Sequence, residues 1–340
     1  MKGSFRFHGL VLLALTVFLA HCARGSELQM LLQVHTEDAV RHETASAVER
    51  LARLTDASQV PGLAFLQDGD TKIRIKGEPA QLKRASALAK EALGNEFRER
   101  PAAEGRVFEM TPAAIEKIRR LAVEQTLITL RNRVDQLGLD DSVLAAQGGH
   151  RIVIRLPEVR DPERISRVLR STALLEMRFV RFPAGGSGTD SREEILQHYG
   201  GQVPPELEIL EGEMLNERGE VAFKKYYAVE RARVATGNDF SNVRPSKGQF
   251  GEAVIEFRLK PAAAEVFSEA TGNNVGAGLA LVLDGRVLSA PKIRSRIGDS
   301  GEIQGGFTSA EAEDLVTLLR VGALPVRVTV LEENFLRPKE

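Results

Sequence analysis

Two-residue turn signals constrain this chain more strongly than any other feature of its sequence. Asp68-Gly69, Gly148-Gly149 and Asp284-Gly285 each separate two short segments in which apolar and polar residues alternate. Such dipeptides favour the positive backbone angles of tight hairpin turns, so each of them predicts a β-hairpin. Strands joined by hairpins pair antiparallel, whereas parallel strands need long crossover connections. Because helical segments lie between the hairpins, we predict an α+β fold with antiparallel sheets and no long parallel sheet.

The middle of the chain shows a recognisable order of elements. Thr111-Pro112 is typical of a helix start, and apolar residues continue at helical spacing from there to Leu137, just before Gly138. The order predicted for this segment is β-α-β-β-α-β, which is ferredoxin-like. Its predicted elements are a strand Arg106–Met110, the helix from Pro112, strands Ser142–Ala146 and Arg151–Leu156, a helix from Asp161-Pro162 to Arg170, and a closing strand Ala173–Val180.

Two further segments flank this unit. Before it, the sequence predicts a strand Leu28–His35, a helix Glu37–Leu54, a hairpin around Asp68-Gly69 and a helix from Glu78 to Leu93. After it, the sequence predicts a strand Glu252–Leu259, a helix from Pro261 to Gly272, a hairpin around Asp284-Gly285, a helix capped by Thr308 and Glu311, and a closing strand Val326–Leu331. Between them, from Arg181 to Lys224, the periodicity weakens, and the glycines that follow Pro183 predict a flexible linker.

The N-terminal segment has the parts of an export signal. Lys2 and Arg6 precede an apolar stretch from Gly9 to Ala20, which is shorter than the roughly 20 residues of a membrane span. Cys22, the single cysteine of the chain, stands where a bacterial lipoprotein signal would place its lipidated cysteine, although His21 is larger than the residue usual before it. A lipoprotein signal, a plain cleaved signal and an uncleaved anchor all remain open. Each of them predicts a protein that works outside the cytoplasm.

Composition excludes several classes of function. With 46 Lys+Arg against 47 Asp+Glu, the chain lacks the basic excess that a general nucleic-acid-binding protein needs. One cysteine excludes a disulfide framework and a cysteine-built zinc site, and His35 and His42 have no third ligand at metal spacing. We therefore expect no nucleic acid, no metal and no cofactor.

No arrangement of residues in the sequence indicates catalysis. The chain contains no Gly-x-Ser-x-Gly nucleophile elbow, and its glycine pairs are not followed by the Lys-Ser/Thr step of a phosphate-binding loop. The glycines instead fall at predicted turns. We expect a protein that is not an enzyme and that handles other polypeptides, for which exposed sheet edges offer sequence-tolerant binding.

Several stretches resemble the first periplasmic domain of the SecD family. Leu130–Leu139 (LRNRVDQLGL), Arg151–Pro157 (RIVIRLP) and Thr172–Val180 (TALLEMRFV) are similar to its base. The stretches LALVLDGRVLSAPKI, GEIQGGFTSAEAEDL and LLRVGALP, which lie within Asn274–Pro325, resemble its head in order and spacing. Together with the residue patterns, this resemblance predicts a signal at 1–25, a first α+β unit at 26–100, a ferredoxin-like base at 101–182, a linker or irregular segment at 183–230, and a SecD-like head with a closing strand at 231–340.

The resemblance implies a role without chemical catalysis. SecD, with its partner SecF, uses the proton gradient to help polypeptides leave the Sec channel, and its mobile head is thought to hold the emerging chain. For this sequence that implies polypeptide binding near Phe307, Gly305 and Gly306, and a hinge near Gly185, Gly186 and Gly188. Phe307 has a second interpretation, as an apolar residue packed ahead of the Thr308 helix cap.

Two departures from the family leave the mode of action open. The stretch Gly25–Met30 lacks the Leu-Asp-Leu-x-Gly-Gly motif usual near the first membrane helix, and the sequence ends at Glu340, where SecD continues into further membrane helices. We therefore expect either a separate membrane partner, such as a SecF-like protein or the Sec channel, or a stand-alone polypeptide-binding domain. The leading hypothesis is an exported accessory of protein export. The alternative is an envelope lipoprotein that uses the same fold for structural assembly or ligand binding.

Overall fold

A computed structural model of the chain describes residues 26–58, 62–102, 105–215 and 221–337. The predicted export signal at 1–25, including the proposed lipid-attachment residue Cys22, lies outside the described residues. Within the described ranges, no helix combines the length and the apolar character that crossing a membrane requires.

The described residues alternate between helices and short strands. The helices are α1 (Thr36–Ala57), α2 (Pro79–Leu93), α3 (Pro112–Gln136), α4 (Pro162–Arg170), α5 (Arg192–His198), α6 (Pro261–Gly272) and α7 (Ser309–Val321). The strands of the first half are β1 (Glu27–Val34), β2 (Ala64–Asp68), β3 (Lys72–Lys76), β4 (Phe97–Pro101), β5 (Arg106–Met110), β6 (Val143–Gln147), β7 (Arg151–Pro157) and β8 (Leu175–Phe182). Those of the second half are β9 (Leu207–Leu215), β10 (Val221–Glu230), β11 (Ala235–Thr236), β12 (Phe240–Lys247), β13 (Ala253–Leu259), β14 (Gly278–Leu283), β15 (Arg286–Ser289), β16 (Ser300–Phe307) and β17 (Val328–Leu336).

The base is a ferredoxin-like unit assembled from both ends of the chain. Its antiparallel sheet has the order β17-β1-β7-β6, and the chain visits these strands and their helices in the order β1, α3, β6, β7, α4, β17. Numbered along the chain, the four strands lie in the order 4-1-3-2. Every second residue of β1 (Leu28, Met30, Leu32 and Val34) is buried, and these side chains form the core together with the apolar face of α3. The predicted α+β class with antiparallel sheets is therefore confirmed.

Two strands assigned to this unit from the sequence belong elsewhere, so that part of the prediction is wrong. The segment Arg106–Met110, predicted as the first base strand, pairs with β3 and β4 in a separate sheet. The segment Ala173–Val180, predicted as the closing base strand, corresponds to β8, which pairs with β14 in the head. The true first and fourth strands, β1 and β17, pair from Glu27 with Leu336 to Val34 with Val328. Local patterning shows that a segment is a strand, but not which distant strand completes its sheet.

The side unit consists of α1, α2 and the sheet β2-β3-β5-β4. Its core contains Ile73, Ile75 and Phe108 from the sheet, with Ala47 and Leu51 from α1. The side unit is inserted into the base between β1 and α3, and the first turn of α3 contributes to its core as well. Helices α1 and α3 therefore hold the side unit and the base together.

A buried carboxylate fixes α1 to the end of the base sheet. Asp38 accepts two hydrogen bonds from Arg327, from Nε to Oδ2 at 2.8 Å and from Nη2 to Oδ1 at 3.2 Å. The side chain of Asp38 is 8% exposed. The hydrogen bond from Arg327 lowers the pKa of Asp38, outweighing the opposite effect of burial. The ionised form is therefore favoured in the folded chain.

The head is inserted between α4 and β17. Its larger sheet has the order β10-β9-β15-β14-β8-β11, and β10 also pairs with β8, so the sheet closes on itself. The sheet β12-β13-β16 and helices α6 and α7 cover one side. The core between these layers joins Met177 and Phe179 of β8 to Phe257, Phe267 and Leu315.

The segment 183–230, predicted as a linker or irregular segment, is largely regular structure in the head. It contains α5, β9 and β10, and the two strands pair antiparallel from Leu207 with Glu230 to Leu215 with Val221. Glutamates interrupt the alternation of apolar and polar residues in β9. One of them, Glu208, lies in the strand and accepts hydrogen bonds from Arg178 and Arg231. Apolar alternation was therefore a poor guide to these strands.

The three glycines predicted as a hinge pack within the head. A Cβ atom built on Gly186 would lie 2.1 Å from the carbonyl oxygen of Ala290, and one on Gly188 would lie 2.8 Å from the Tyr227 ring. Gly185 follows Ala184 in a 3-10 turn after β8. Their use as a hinge stays a prediction. The structure places them away from the points where the chain passes between base and head.

Replacing Asp38 by Asn should remove stability that depends on pH. Because the folded-state pKa of Asp38 is lowered, its contribution is present above the ordinary Asp pKa of about 3.9 and is lost as the pH falls through the folded-state value. The difference in free energy of unfolding between wild type and Asp38→Asn should thus be constant near neutral pH and shrink in acid. Urea titrations at several pH values measure it. Asp56→Asn, an exposed change in the same helix, should show no such trend.

Replacing Gly186 by Ala should destabilise the head by about 2 kcal/mol more than replacing Gly200 by Ala. Both glycines have positive φ, 84° and 71°, so both substitutions strain the backbone. Only at Gly186 does the new methyl group meet a backbone atom, since nothing lies within 4 Å at Gly200. Urea denaturation measures the free energy of unfolding of the two variants, and the difference between them reports the clash with the carbonyl oxygen of Ala290. Equal losses would show that Ala290 does not constrain this turn.

Candidate functional site

Two connections between base and head run side by side. The chain leaves the base through the outgoing crossing, residues 171–174, and returns through the returning crossing, residues 322–324. The Leu324 amide donates to the carbonyl oxygen of Thr172 at 2.8 Å, so the two crossings are hydrogen-bonded to each other. The chain therefore passes between base and head only within these few residues of the described structure.

Arg133 of α3 binds both crossings from the base side. Its side chain is 0% exposed, although the residue type is almost never fully buried without partners. Burial lowers the pKa of its guanidinium to about 10, which leaves it protonated at neutral pH. Its Nη atoms donate to the carbonyl oxygens of Val168 at 2.9 Å, Leu169 at 3.3 Å, Ser171, Thr172 at 3.5 Å and Gly322 at 3.3 Å.

Asp284 holds the outgoing crossing from the head side. It occupies the turn between β14 and β15 with a φ of 51°, next to Gly285 at 79°, as the two-residue hairpin signal predicted. Its carboxylate accepts hydrogen bonds from the amides of Thr172 and Leu174, both at 3.0 Å, and from the hydroxyl of Ser171 at 2.8 Å. Arg133 thus binds carbonyl groups of this crossing while Asp284 binds its amides and hydroxyls.

The sequence carries a signal for the burial of Arg133. Leu130, Val134 and Leu137 form the apolar stripe of α3, and Arg133 falls on the same face. A cation within a buried stripe indicates a buried polar partner. Asp284 was predicted only as part of a hairpin turn, and neither it nor Arg133 was predicted as a contact between base and head.

A groove of about 560 Å³ opens beside the outgoing crossing. One wall is α4 of the base, and the other consists of the β14–β15 hairpin, the end of β16 and α7 of the head. The volume lies in the usual range for ligand pockets. Its apolar lining includes Val168, Leu283, Val287, Leu288, Phe307 and Leu315.

The groove contains two of the predicted polypeptide-binding residues. Phe307 and Gly305 line it, whereas Gly306 adjoins it with a φ of 66°. A Cβ atom at Gly305 would lie 2.4 Å from the Phe307 ring, so glycine is what lets this ring fold over the strand. Phe307 also packs against the head core, ahead of the Thr308–Glu311 capping box. The ring therefore has a structural contact, and its role in binding stays a prediction.

An exposed aromatic residue stands near the same end of β16. Phe250, at the tip of the β12–β13 hairpin, is 89% exposed. Its amide donates to the Glu252 carboxylate at 2.9 Å, and Gly251 N donates to Gly248 O at 3.0 Å, so the tip has a defined shape. The next strand begins at Ala253, whose register partner is Phe307. Sequence reasoning missed Phe250, for which the only signal was an aromatic residue among turn residues.

The described residues also bear on metal binding. Among them, no group of three or more His, Cys, Asp or Glu side chains is placed to hold a metal ion. The groove instead offers an apolar surface with charged side chains at its rim.

Comparisons with known proteins fit this division into base and head. The family described as SecDF, P1 head subdomain, matches residues 212–326, and the family described as protein translocase subunit SecDF, P1 domain, N-terminal, matches residues 123–181. The first span contains Asp284 and the second contains Arg133. The stretches LRNRVDQLGL and LALVLDGRVLSAPKI, which carried the resemblance, lie inside the matched residues.

Similar proteins are longer than this chain. Protein translocase subunit SecD of Koribacter versatilis is 33% identical over 317 residues, which are 91% of this chain and 57% of that protein. SecD of Aquifex aeolicus is 35% identical over 232 residues, which are 68% of this chain and 43% of that protein. A solved structure of SecDF, described as a membrane component that enhances protein export, has a TM-score of 0.46 and 29% identity, covering 63% of this chain and 92% of that one.

Replacing Arg133 by Gln should lower the free energy of unfolding by at least about 3 kcal/mol, because several buried carbonyl groups lose a charged donor. Arg131→Gln, in the same helix, should lower it by less than about 1 kcal/mol, since Arg131 is exposed and makes one bond of 3.3 Å to Leu144 O. Urea denaturation compares the two variants, and Arg133→Lys should fall between them. Similar losses for both glutamine variants would contradict the role given to Arg133.

Proposed function

The chain belongs to the SecD family by its first periplasmic domain, and on this premise we propose that it is a non-enzymatic accessory of Sec-dependent protein export. In this proposal it acts on the outer face of the cytoplasmic membrane and binds polypeptides during translocation. Its further partners are the Sec channel and a SecF-like or other membrane protein. These assignments come from relatives of which the chain spans about half the length.

The groove between base and head is the observation that carries the proposal. Its walls come from both units, and its apolar lining suits the side chains of a chain that has not yet folded. A protein that assists many substrates needs affinity without a fixed sequence. Apolar contacts supply this, because burial of apolar surface is non-directional.

The strand next to the groove supports main-chain recognition. Among the described strands, β16 pairs with β13 alone and so forms one edge of the sheet β12-β13-β16. Its Gly305–Phe307 end reaches the groove. An extended polypeptide can add to such an edge through backbone hydrogen bonds while its side chains enter the pocket. Phe250 extends the apolar surface beyond the groove.

Site-specific photocrosslinking tests this proposal. A photoreactive phenylalanine analogue is placed at Phe250 or at Phe307, and at Ile128, which is 60% exposed on α3, as the control. The cells express a secretory protein fused to a tightly folded domain, so that it stalls in the Sec channel. We expect the stalled chain to crosslink to positions 250 and 307 and not to position 128, and Sec channel subunits to purify with the complex.

Two results would contradict the proposal. Equal crosslinking at all three positions would show that the contact is unspecific. Crosslinks that contain only mature envelope proteins, with and without the stalled chain, would favour the alternative of structural assembly. The probe at Phe250 is the more informative of the two, because that side chain is exposed and its replacement leaves the core intact.

A further inference from the structure

The charges around the groove point to a particular class of bound segment. We propose that the groove prefers polypeptide segments in which apolar residues are flanked by Asp or Glu, and that Arg167 and Arg170 read the acidic flank. This inference rests on the proposed function, because it names the ligand chemistry of the same groove.

Arg167 and Arg170 are the cationic side chains that α4 contributes to the groove, while Arg286 lines the opposite wall. Both line it from α4 and both are exposed. Three positions apart on a helix, they share one face, while Ile165 and Leu169 on the opposite side pack into the base core. Neither guanidinium makes a hydrogen bond or an ion pair with another residue in the part of the chain that the structure describes. Their donors are therefore directed to solvent or to a ligand.

The carboxylates of the same lining are already engaged by the protein. Asp314 accepts from Arg164 Nε at 2.8 Å, and Glu311 accepts from the Thr308 amide at 2.8 Å. Asp284 is held by the outgoing crossing. Because these carboxylates already accept hydrogen bonds from the protein, Arg167 and Arg170 are the charged groups of α4 whose donors are available to an incoming ligand. A ligand with a carboxylate near its apolar part is favoured, and a lysine-rich ligand is disfavoured.

A peptide fits this site better than an anionic lipid does, although both combine apolar and acidic groups. The edge of β16 at Gly305–Phe307 offers main-chain donors and acceptors beside the apolar wall, and an acyl chain cannot use them. The arginine stems also present apolar surface below their charged ends, which suits an extended chain lying along α4. The occupant is therefore an extended polypeptide segment.

Fluorescence anisotropy with labelled peptides tests the preference. Three twelve-residue peptides carry the same Leu-Phe-Leu centre, flanked by Glu, by Ser or by Lys, and are titrated with the whole chain at low salt. We expect the Glu-flanked peptide to bind about 5-fold more tightly than the Ser-flanked one, since each exposed ion pair contributes modestly. High salt should remove most of the difference while the apolar contribution persists.

Matched variants assign the preference to the groove. The double variant Arg167→Gln, Arg170→Gln keeps the side-chain length and should bind the Glu- and Ser-flanked peptides equally. The control Arg53→Gln, Arg84→Gln removes two exposed helical arginines of the side unit and should retain the preference. Thermal unfolding of both verifies that each is folded.

The outcomes separate this inference from the proposed function. Equal binding of all three peptides to wild type would overturn the acidic preference and leave the apolar groove in place. Failure of every peptide to bind, while Phe250 still crosslinks to a stalled chain, would overturn the inference alone, and failure of both would overturn both. If phosphatidylglycerol vesicles bind through Arg167 and Arg170 and the peptides do not, the occupant is a lipid surface and the inference is wrong.

Discussion

The contact on which the rest of this structure depends is the outgoing crossing held between Arg133 and Asp284. A buried guanidinium is costly unless its donors are satisfied, and here the Nη donors of Arg133 bind carbonyls at the end of α4 and of both crossings, while its buried Nε has no hydrogen-bond partner among the described residues. Asp284 binds the amides of the same segment from the opposite side. Base and head thereby share one hydrogen-bonded segment, which orients a domain attached to the base by only two connections.

The groove follows from this arrangement. Residues 170 and 171 continue from α4 into the crossing, and Asp284 belongs to the hairpin that forms the opposite wall. The distance between the walls is therefore set by how the crossing is held and by the ion pair between Arg164 of α4 and Asp314 of α7. A ligand that touches both walls must favour the base–head arrangement that brings them together, and by reciprocity that arrangement raises the affinity for the ligand. Under the proposed function, binding in the groove and the position of the head would therefore be coupled.

Local structure was predictable from the sequence and long-range pairing was not. Asp161-Pro162 places the start of α4, and Asp284-Gly285 places a hairpin turn, because caps and turns depend on neighbouring residues. The base sheet was misassigned, because β1 and β17 pair across nearly the whole chain and no local pattern records that pairing. The groove was found in part through Phe307. Arg167 and Arg170 were not, since an exposed arginine looks the same in sequence wherever it lies.

Phe307 shows why a residue can be structural and still lie at a proposed binding site. Its ring folds over Gly305 and packs against the head core, and it also faces the groove. The two interpretations of Phe307 from the sequence were offered as alternatives, but the geometry allows both. If mutation of Phe307 abolished binding, the result would therefore not distinguish a disturbed head core from a lost contact with the ligand. Exposed side chains that do not belong to the core, namely Arg167 and Arg170 in the groove and Phe250 beyond it, are the ones whose substitution tests recognition alone.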